Sequence, residues 1–596
     1  MKKLILTLII AVIALPMLAD NRSDSEMAAI AAQKLFGAQV KGQNGGVSST
    51  VKRVYADAAV AVYSPEDEKG FVIVGRDDRM LPVLGICEGQ FDAEKMPCGM
   101  KAWLKNINRS LEEVNANPKA LRKAPENAPL QMEQVAPLIT TKWDQEEPYN
   151  RMVPIVDDID GEGNPIHIHA PTGCVATAMA QIMNYHQWPA SAKFTGVYLI
   201  GMESTEPLYA PIKSTYTWPL EIAYGTHYWP EGYKDLSEDV VRVEEGKISE
   251  EQKDAIATLM RDCGYAVAMR YTPSVSLANL ENTATALRDI FKFAETPLQS
   301  RYSQFLTAEE WQAILYKELK ASYPVLYSAM DDKTGSGHAF IVHGIGPDNL
   351  FYINWGWKGA FDGMYALGAF NPEAGYFFNT GSGMVTGIRK EALPTDIKQS
   401  FFVTAGYWVG YDPREELALN VELQNCYSFA TSTFKGSFSV GVQDMAGGEP
   451  SYYEFDKKEV HFSEFVNLSA YVNPTFERGH TYRIFAAAQP EDETVYQPIR
   501  VCDVESGMVG PICFILTINQ EGISEITGPE IMEEYMFTGV KSLKPTAVAN
   551  DGITRVYDMQ GRLVHSAPTA SFNLWDVPAR GVLVIRQGNN TRKVVR

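Results

Sequence analysis

The sequence predicts a multidomain protein in which two α+β units are followed by all-β units. Three observations support this. The chain has 596 residues, a length that corresponds to about three to five domains. A stretch rich in Pro, Ala and charge, NANPKALRKAPENAPLQMEQVAP, separates the first mixed unit from the second. After residue 396 the pattern changes to alternating strands divided by turn residues, as in a β-sandwich.

Composition and the N-terminus limit the possible functions. The formal net charge of −20 argues against nucleic acid or an anionic membrane as a partner. The first residues, MKKLILTLIIAVIALPMLAD, place two lysines before a short apolar stretch that ends near Ala19. This pattern predicts a secretory signal peptide over residues 1–19, because the apolar run is short for a membrane span. No later segment has 18 continuous apolar residues. We therefore expect a protein that is secreted or attached to the outer cell surface, with no transmembrane helix in the mature chain.

The first predicted domain, residues 20–135, consists of a small α+β module and the linker. EMAAIAAQKLF and MKAWLKNINRSLEEV have the apolar spacing of helices, whereas AVAVYS and GFVIVGRDD indicate strands. The linker contains Arg122 and Lys123, and its composition predicts an exposed segment that proteases cut easily. The second predicted domain, residues 136–395, is helical in its first part and rich in strands in its last part, which predicts a larger α+β fold.

Two β units follow. Residues 396–540 contain alternating strands such as LALNVELQN, GSFSVGVQD and TYRIFAAAQ, which predict a β-sandwich domain. Residues 541–596 contain ITRVYDMQGRLVHS and GVLVIRQGNNTRKVVR, in which MQGR and QGNN are turns between strands. These last residues therefore form a short unit of their own.

The chain has seven cysteines. This odd number means that at least one thiol stays free or pairs outside the chain. The sequence leaves open a Cys87–Cys98 pair and a Cys502–Cys513 pair.

Cys174 is a small buried apolar residue, half of a disulfide or a nucleophile. It lies in PTGCVATAMAQIMNYHQWP, directly after Pro171, Thr172 and Gly173. The apolar residues that follow it have helical spacing, so Cys174 is predicted to lie in the first turn of a helix. Unpaired N–H groups and the helix dipole lower a thiol pKa at that position.

A cysteine nucleophile needs a base, and the chain has nine histidines. His186 lies 12 positions after Cys174 on the same predicted helix, roughly 18 Å away, which is too far. His167 and His169 lie in a predicted charged loop without an evident third ligand, so we expect surface histidines and no metal site. His338, in GSGHAFIVHGI, begins a predicted strand at a Gly-rich end. Alternation places His343 on the opposite face, packed behind the strand and held by a hydrogen bond.

The remaining parts of such a site are also present. FYINWGWKG is the predicted antiparallel partner of the His338 strand and carries Asn354 and Trp355. An Asn side-chain carbonyl can accept the imidazole N–H, and a Trp can shield that hydrogen bond, although this aromatic hairpin must also provide core packing. An oxyanion hole could combine the backbone N–H of Cys174 with the side chain of Gln145.

Four stretches, in this order, resemble the streptopain-like cysteine peptidases, which have a papain-like fold: KWDQEEPYN, PTGCVATAMAQIMNYHQWP, GHAFIVHG and NWGWKGAFDGMY. The resemblance spans most of residues 136–372. It implies that Cys174 is the nucleophile, His338 the base and Gln145 the oxyanion donor. It also implies that Asn354 orients the histidine and Trp355 covers it. RYTPSVSLAN departs from the more Gly- and Ser-rich turn that is usual in the family, which bears on substrate preference.

The flanking units carry two further resemblances. FVIVGRDDRMLPVLGICEG resembles the pro-domain of these peptidases, which is related to their small inhibitors, and this implies a zymogen. VYDMQGRLV and the closing GVLVIRQGNNTRKVVR resemble the C-terminal sorting domain of the type IX secretion system of Bacteroidetes. That domain often has Gly-x-Tyr where this chain has Gly581, Val582 and Leu583.

The sequence therefore predicts a secreted cysteine endopeptidase made as a zymogen, with no cofactor. Its expected partners are protein or peptide substrates with an apolar side chain beside the scissile bond, its own pro-domain as inhibitor, and the secretion machinery. One alternative is a surface binding or adhesion protein on an inactive peptidase scaffold. A second alternative is an acyl-transferring enzyme, such as a transglutaminase or an amidase, that uses the same dyad.

Overall fold

A computed structural model describes the chain in twenty segments. They are residues 21–36, 51–66, 70–116, 132–220, 249–294, 298–302, 306–330, 337–368, 382–391, 401–412, 418–428, 434–461, 464–491, 494–503, 508–522, 524–535, 553–557, 563–568, 582–587 and 590–595. The predicted signal peptide and most of the predicted linker lie outside these residues. The chain divides into two units, residues 1–537 and 538–596. Within the described segments, no helix has the length and apolar character needed to span a membrane.

The N-terminal part of the first unit is a sheet of four antiparallel strands with two helices. Its elements are α1 (Asp24–Phe36), β1 (Val51–Ala56), β2 (Val60–Pro65), β3 (Phe71–Gly75), β4 (Val83–Cys87) and α2 (Cys98–Ala116). Every residue of β3 and β4 is buried. This burial explains why both strands are continuous apolar runs, since neither face meets water. The helices and strands predicted for this module are present.

The middle part of the first unit contains four helices and twelve strands among the described residues. They are β5 (Ile155–Ile159), β6 (Pro165–His169), α3 (Cys174–His186), β7 (Ser191–Ile200), β8 (Leu208–Thr215), α4 (Glu250–Ala266), β9 (Arg270–Tyr271), β10 (Ser276–Leu277), α5 (Leu280–Asp289), β11 (Gln299–Tyr302), α6 (Ala308–Lys320), β12 (Val325–Met330), β13 (Gly337–Ile345), β14 (Phe351–Asn354), β15 (Gly363–Tyr365) and β16 (Ser382–Thr386). Helix α6 begins with a capping box in which Thr307 and Glu310 satisfy each other's backbone N–H groups.

His167 and His169 lie on strand β6, so the predicted loop at this position is corrected. Ile166 and Ile168 alternate with the two histidines, which is the period of two that is typical of a strand. Strand β6 pairs with β5 in an antiparallel hairpin. The exposed imidazole of His167 is 2.8 Å from the Asp157 carboxylate. No group of three or more His, Cys, Asp or Glu side chains is placed to hold a metal in the part of the chain that the structure describes.

A single antiparallel sheet joins the N-terminal and middle parts, in the order β1-β2-β3-β4-β15-β14-β13-β12-β16-β11. The junction is the antiparallel pair of β4 and β15, in which Cys87 is opposite Gly363 and Gly85 is opposite Tyr365. The pairing gives each of these strands a hydrogen-bonded neighbour at what would otherwise be a sheet edge. The two predicted modules therefore share one folded core.

The two faces of β13 meet different layers. Phe340 and Val342 pack in the same core cluster as the side chains of α2 and α6. Ala339 and Ile341 pack in a second cluster with α3, α4 and α5. The alternation predicted for this strand is confirmed from Ala339 to Val342, and the two layers place α2 and α3 on opposite faces of the strand.

His186 ends helix α3 in an aromatic environment. Its ring packs against Phe293 and Tyr323, and its Nε2 has no hydrogen-bond partner among the described residues. Burial, with smaller contributions from the cationic Lys390 and Arg389, lowers the pKa of His186 to about 4. The folded protein therefore holds this imidazole in its neutral form at neutral pH.

The buried His186 is expected to make the fold acid-sensitive. Because its folded pKa lies below its unfolded value of about 6.5, the unfolded chain takes up the proton first, and stability falls as pH drops from about 6.5 to 4, by roughly 3 kcal/mol at most. We expect His186→Phe to flatten this part of the stability–pH curve, measured as Tm from pH 7 to 4. His167→Gln, at an exposed histidine, is the matched control. Equal acid sensitivity in wild type and His186→Phe would contradict the prediction.

The C-terminal part of the first unit is built from strands among the described residues, apart from a 3₁₀ turn at Glu533–Tyr535. The strands are β17 (Phe401–Asp412), β18 (Ala418–Ser428), β19 (Phe434–Asp444), β20 (Ser451–Val460), β21 (Phe465–Val472), β22 (Thr481–Pro490), β23 (Gln497–Pro498), β24 (Arg500–Asp503), β25 (Met508–Ile518) and β26 (Ser524–Ile531). One core cluster combines side chains of β17, β18 and β21 with side chains of β19 and β22.

A buried ion pair connects this β part to the middle part. The guanidinium of Arg500 on β24 donates to both carboxylate oxygens of Glu310 on α6, at 3.0 and 2.6 Å. Both side chains are 0% exposed.

The second unit has four described strands, β27 (Ile553–Tyr557), β28 (Leu563–Pro568), β29 (Val582–Gln587) and β30 (Asn590–Val595). They form an antiparallel sheet in the order β28-β27-β29-β30.

Cys87, Cys263, Cys426 and Cys513 are buried free thiols, whereas Cys174 is a half-buried one. Neither pairing that the sequence left open forms, since each would require Cys87 or Cys513.

Candidate active site

Cys174 is the first residue of helix α3, as the sequence predicts. Gly173 precedes it with φ of +86°, a left-handed conformation that favours glycine. A Cβ at Gly173 would lie 2.8 Å from the side chain of Met269, so the backbone also passes close to its neighbour. This turn directs the first N–H groups of α3 towards the thiol, where they favour negative charge.

The Cys174 thiol is paired with His338. The sulfur accepts a hydrogen bond from the backbone N–H of Ala339 at 3.3 Å. Burial is the largest single influence and acts to raise the pKa of Cys174. The charge and hydrogen bond of the His338 imidazole, with the N–H groups of Ala339 and Val175, outweigh it, and the pKa of the thiol is lowered overall. These contacts favour a thiolate beside an imidazolium.

The other side of the imidazole meets a backbone carbonyl. Nε2 of His338 lies 3.1 Å from the carbonyl oxygen of Trp355, and the imidazole is buried. Because a carbonyl can only accept, Nε2 carries the proton and Nδ1 is the nitrogen available to the thiol. The tautomer is thus fixed by a main-chain group.

The direct role predicted for the Asn354 side chain is corrected. Its Oδ1 accepts from the backbone N–H of Gly356 at 3.0 Å and from Gln181 at 3.1 Å, and its Nδ2 donates to the carbonyl of Thr141 at 2.7 Å. Strand register gives the reason. Asn354 is opposite Ile341, so it points to the α3 face of the sheet, whereas His338 shares the other face with Phe340.

Trp355 is fully buried and is held at both ends. Its indole N–H donates to the carbonyl of Phe361 at 3.0 Å, and its ring packs on Phe340 with centroids 4.7 Å apart. Its backbone N–H donates to Asp362 at 2.9 Å. Burial raises the pKa of Asp362 to about 7, although this N–H and the nearby Lys142 act in the opposite direction. The carbonyl that meets His338 therefore belongs to a rigid peptide.

Gln145 lies beside the loop that leads to Cys174. Its carbonyl accepts the backbone N–H of Thr172 at 2.9 Å, and its own N–H donates to the Asp144 carboxylate at 2.8 Å. The bond to Thr172 attaches the segment that carries Gln145 to the chain two residues before the thiol.

Known proteins are similar to this chain in sequence. The sequence model of the Peptidase C10 family matches residues 143–365, and that of the Spi protease inhibitor matches residues 22–111. Streptopain of Streptococcus pyogenes is 33% identical over 319 residues, which are 53% of this chain and 74% of streptopain. The chain belongs to the Peptidase C10 family. The predicted streptopain-like resemblance is confirmed, and this C10 peptidase is a cysteine-type peptidase by family.

Two further relatives cover different shares of the chain. Thiol protease/hemagglutinin PrtT of Porphyromonas gingivalis is 30% identical over 406 residues, or 64% of this C10 peptidase but only 42% of that protein. A solved structure of a prointerpain A fragment from Prevotella intermedia is 26% identical and is covered to 99%, over 57% of this chain, with a TM-score of 0.45.

The inhibitor-like part of this C10 peptidase lies against His338. Gly99 lies in the first turn of α2 and is buried. A Cβ at Gly99 would lie 2.1 Å from Cδ2 of His338, so only glycine allows the helix backbone to approach the imidazole this closely. The pro-domain therefore covers the His338 side of the site.

Gln181 is a buried polar residue at the site that the sequence reasoning missed. It lies on α3 seven positions after Cys174, with an exposed fraction of 1%. Seven positions are two helical turns, so both residues lie on one side of the helix. A glutamine within the apolar run VATAMAQIM, at this spacing from the cysteine, was the signal available in the sequence.

Proposed function

We propose that this C10 peptidase is a secreted endopeptidase, made as a zymogen, that cleaves peptide bonds with Cys174 as nucleophile and His338 as acid and base. The observation that supports this proposal most strongly is the thiol at a helix N-terminus in contact with an imidazole whose other nitrogen bonds to Trp355. Protein or peptide chains with an apolar side chain beside the scissile bond are the proposed substrates, as the family resemblance implies.

The proposed reaction has two halves. The Cys174 thiolate attacks the peptide carbonyl carbon and forms a C–S bond, while the carbonyl oxygen becomes an oxyanion. The backbone N–H of Cys174 and the side chain of Gln145 donate to that oxygen. Imidazolium His338 protonates the leaving amine as the C–N bond breaks, which leaves a thioester. His338 then takes a proton from water, which attacks the thioester and releases the acid and the thiol.

Asn354 and Trp355 are assigned supporting roles in this reaction. The Trp355 carbonyl fixes the His338 tautomer, and the buried indole of Trp355 packs on Phe340. The Asn354 side chain acts on the backbone of the same turn, through its bond to the Gly356 N–H.

Latency is proposed to arise from the pro-domain, which with its linker comprises residues 20–135. The Spi inhibitor match, the contact of Gly99 with His338 and the pairing of β4 with β15 support this. Cutting the linker near Arg122 and Lys123 would break the covalent connection between the pro-domain and the peptidase domain. Strand β4 and helix α2 could then dissociate from the site.

Export is proposed to use the signal peptide over residues 1–19 and a sorting domain over residues 541–596. The closing GVLVIRQGNNTRKVVR motif and the four-stranded sheet of the second unit support the sorting domain. The secretion machinery would then be a partner, and the enzyme would be secreted or attached to the outer cell surface.

The two alternative classes are less well supported. A binding or adhesion protein on an inactive scaffold would not require a reactive pair, yet Cys174 and His338 are both present and in contact. An acyl-transferring enzyme could use the same pair, but an inhibitor-like module over the site favours a peptidase that must be held latent.

Labelling with a thiol-directed peptide inhibitor tests the proposed function. The full-length chain is incubated with a peptidyl fluoromethyl ketone before and after activation, and digests are analysed by mass spectrometry. We expect one adduct, on Cys174, that forms only after the linker is cut, together with a new N-terminus. The buried Cys263 serves as the internal control, because burial raises the pKa of its thiol. Labelling at another cysteine, or none at Cys174, would overturn the proposal.

The two histidines of β13 are expected to differ strongly in their effect on turnover. His338→Ala should lower kcat by about 10²–10⁴-fold, because general acid and base catalysis is lost. His343 instead accepts the backbone N–H of Ile139 at 3.2 Å. His343→Ala should therefore cost about 1 kcal/mol of stability and change kcat less than tenfold. Steady-state kinetics and Tm of both variants check this, and an equal loss of kcat in two folded variants would mean that the base is misassigned.

A further inference from the structure

We propose that Gln181 is a positioning residue for catalysis, which holds the nucleophile helix, the oxyanion segment and the Asn354–Trp355 turn in one geometry. The oxyanion segment is defined as residues 141–145. This inference rests on the proposed function, because it concerns the geometry of the Cys174–His338 pair. It assigns to a single amide the task of relating three segments that lie far apart in the sequence.

The side chain of Gln181 makes four hydrogen bonds. Oε1 accepts from the Thr141 hydroxyl at 2.8 Å, from the Trp143 backbone N–H at 3.3 Å and from Asn354 Nδ2 at 3.3 Å. Nε2 donates to Asn354 Oδ1 at 3.1 Å. The side chain thus bonds to both other segments from helix α3, which carries Cys174.

The orientation of both amides is determined by main-chain groups. Asn354 must direct Nδ2 to the Thr141 carbonyl, which only accepts, and Oδ1 to the Gly356 N–H, which only donates. The Trp143 N–H likewise requires the oxygen of Gln181. Reversing either amide would place donor against donor, so the network has one arrangement.

The network ends at the catalytic pair. The bond from Gly356 N–H to Asn354 Oδ1 closes a turn around Trp355, and the Trp355 carbonyl accepts from His338. On the other side, Trp143 is two residues before Gln145, the proposed oxyanion donor. A shift of Gln181 would therefore change the position of the imidazole and of the oxyanion segment together.

A glutamine can also be buried simply as a satisfied core residue, and a matched control separates the two roles. Asn184 lies on the same helix, is also buried, and accepts the backbone N–H of Leu220 at 2.8 Å, away from the thiol. Asn184→Ala should lower Tm without changing catalysis. If Gln181 were only structural, its variants would behave in the same way.

Two substitutions divide the network. Gln181→Glu is nearly isosteric and keeps an acceptor for Thr141, Trp143 and Asn354 Nδ2, but it replaces the donor to Asn354 Oδ1 by an oxygen. Thr141→Val removes only one donor to Gln181 and is the milder variant if Gln181→Glu does not fold. Each full-length chain is cut in trans by immobilised wild-type enzyme, and the folded product is assayed.

We expect Gln181→Glu to lower kcat about 100-fold with little change in KM, the size of effect that a misplacement near 1 Å can have. The acidic limb of the Cys174 alkylation rate against pH, measured with iodoacetamide, should shift by about one pH unit because the thiolate–imidazolium pair is perturbed. Thr141→Val should lower kcat a few-fold.

Three outcomes are informative. Loss of kcat with a shifted alkylation profile supports the positioning role. Lower Tm with unchanged kcat and profile, as in Asn184→Ala, overturns it. If wild-type Cys174 itself is not alkylated preferentially, the proposed function fails, and this is seen before any Gln181 variant is compared.

Discussion

Cys174→Ala is expected to abolish peptide hydrolysis, by more than about 10⁴-fold in kcat. Alanine keeps the backbone N–H groups and the start of helix α3, so the fold and the substrate cleft remain. What is lost is the sulfur that the His338 imidazole and the Ala339 N–H stabilise as a thiolate. Without it, no covalent intermediate forms, and the full-length precursor should accumulate uncut.

The measurement is hydrolysis of a fluorogenic peptide, together with electrophoresis of the precursor over time. Cys263→Ala is the matched control, because Cys263 is a fully buried thiol on α4 whose sulfur contacts Met183 at 3.6 Å. We expect that variant to mature and to turn over substrate normally. Full activity of a Cys174→Ala preparation that contains no wild-type enzyme would refute the assignment of the nucleophile.

Breaking the Glu310–Arg500 ion pair is expected to destabilise the protein by about 3–5 kcal/mol, because a charge would remain buried without its partner. Both groups are 0% exposed and bind through two parallel hydrogen bonds. Glu310 also accepts the backbone N–H of Thr307 at 2.9 Å, and Thr307 is the residue that caps the N-terminus of α6. Arg500→Met would therefore leave the Glu310 carboxylate buried without a counter-ion at the contact between α6 and the β part.

Thermal and denaturant unfolding of the full chain measure this effect. The double variant Glu310→Leu/Arg500→Met should regain most of the loss, since it removes both charges at once. Arg53→Met is the control, because its pair with Asp24 is 46% and 66% exposed and is expected to contribute at most about 1 kcal/mol. A loss in Arg500→Met no larger than that in Arg53→Met would contradict the prediction.

Much of the site was predictable from local sequence. The helix that starts at Cys174, the β13–β14 hairpin and the alternation of GHAFIVHG follow from patterns within about 15 residues. The four motifs in their order were also sufficient to predict the family. These features depend on neighbours in the chain, and a single sequence contains that information.

The sequence did not indicate which group meets Nε2 of His338. The strand register, with a β-bulge between Val342 and Gly344, directs the Asn354 side chain to the α3 face. The backbone carbonyl of Trp355 therefore meets the imidazole in place of the Asn354 side chain. Gln181 was overlooked for a similar reason, because its partners lie 38 and 173 positions away in the sequence.

By itself, the sequence determined the family of this peptidase, and it predicted a thiol at a helix N-terminus, a histidine at the start of a strand and an inhibitor-like module upstream. The tertiary structure alone decided that this module shares a sheet with the peptidase through β4 and β15, and that Gly99 rests on His338. It also decided that Arg500 of the β part neutralises Glu310. The physical reason is that contacts between distant segments depend on register, close packing and charge compensation in the folded core, which leave no periodic pattern in the chain.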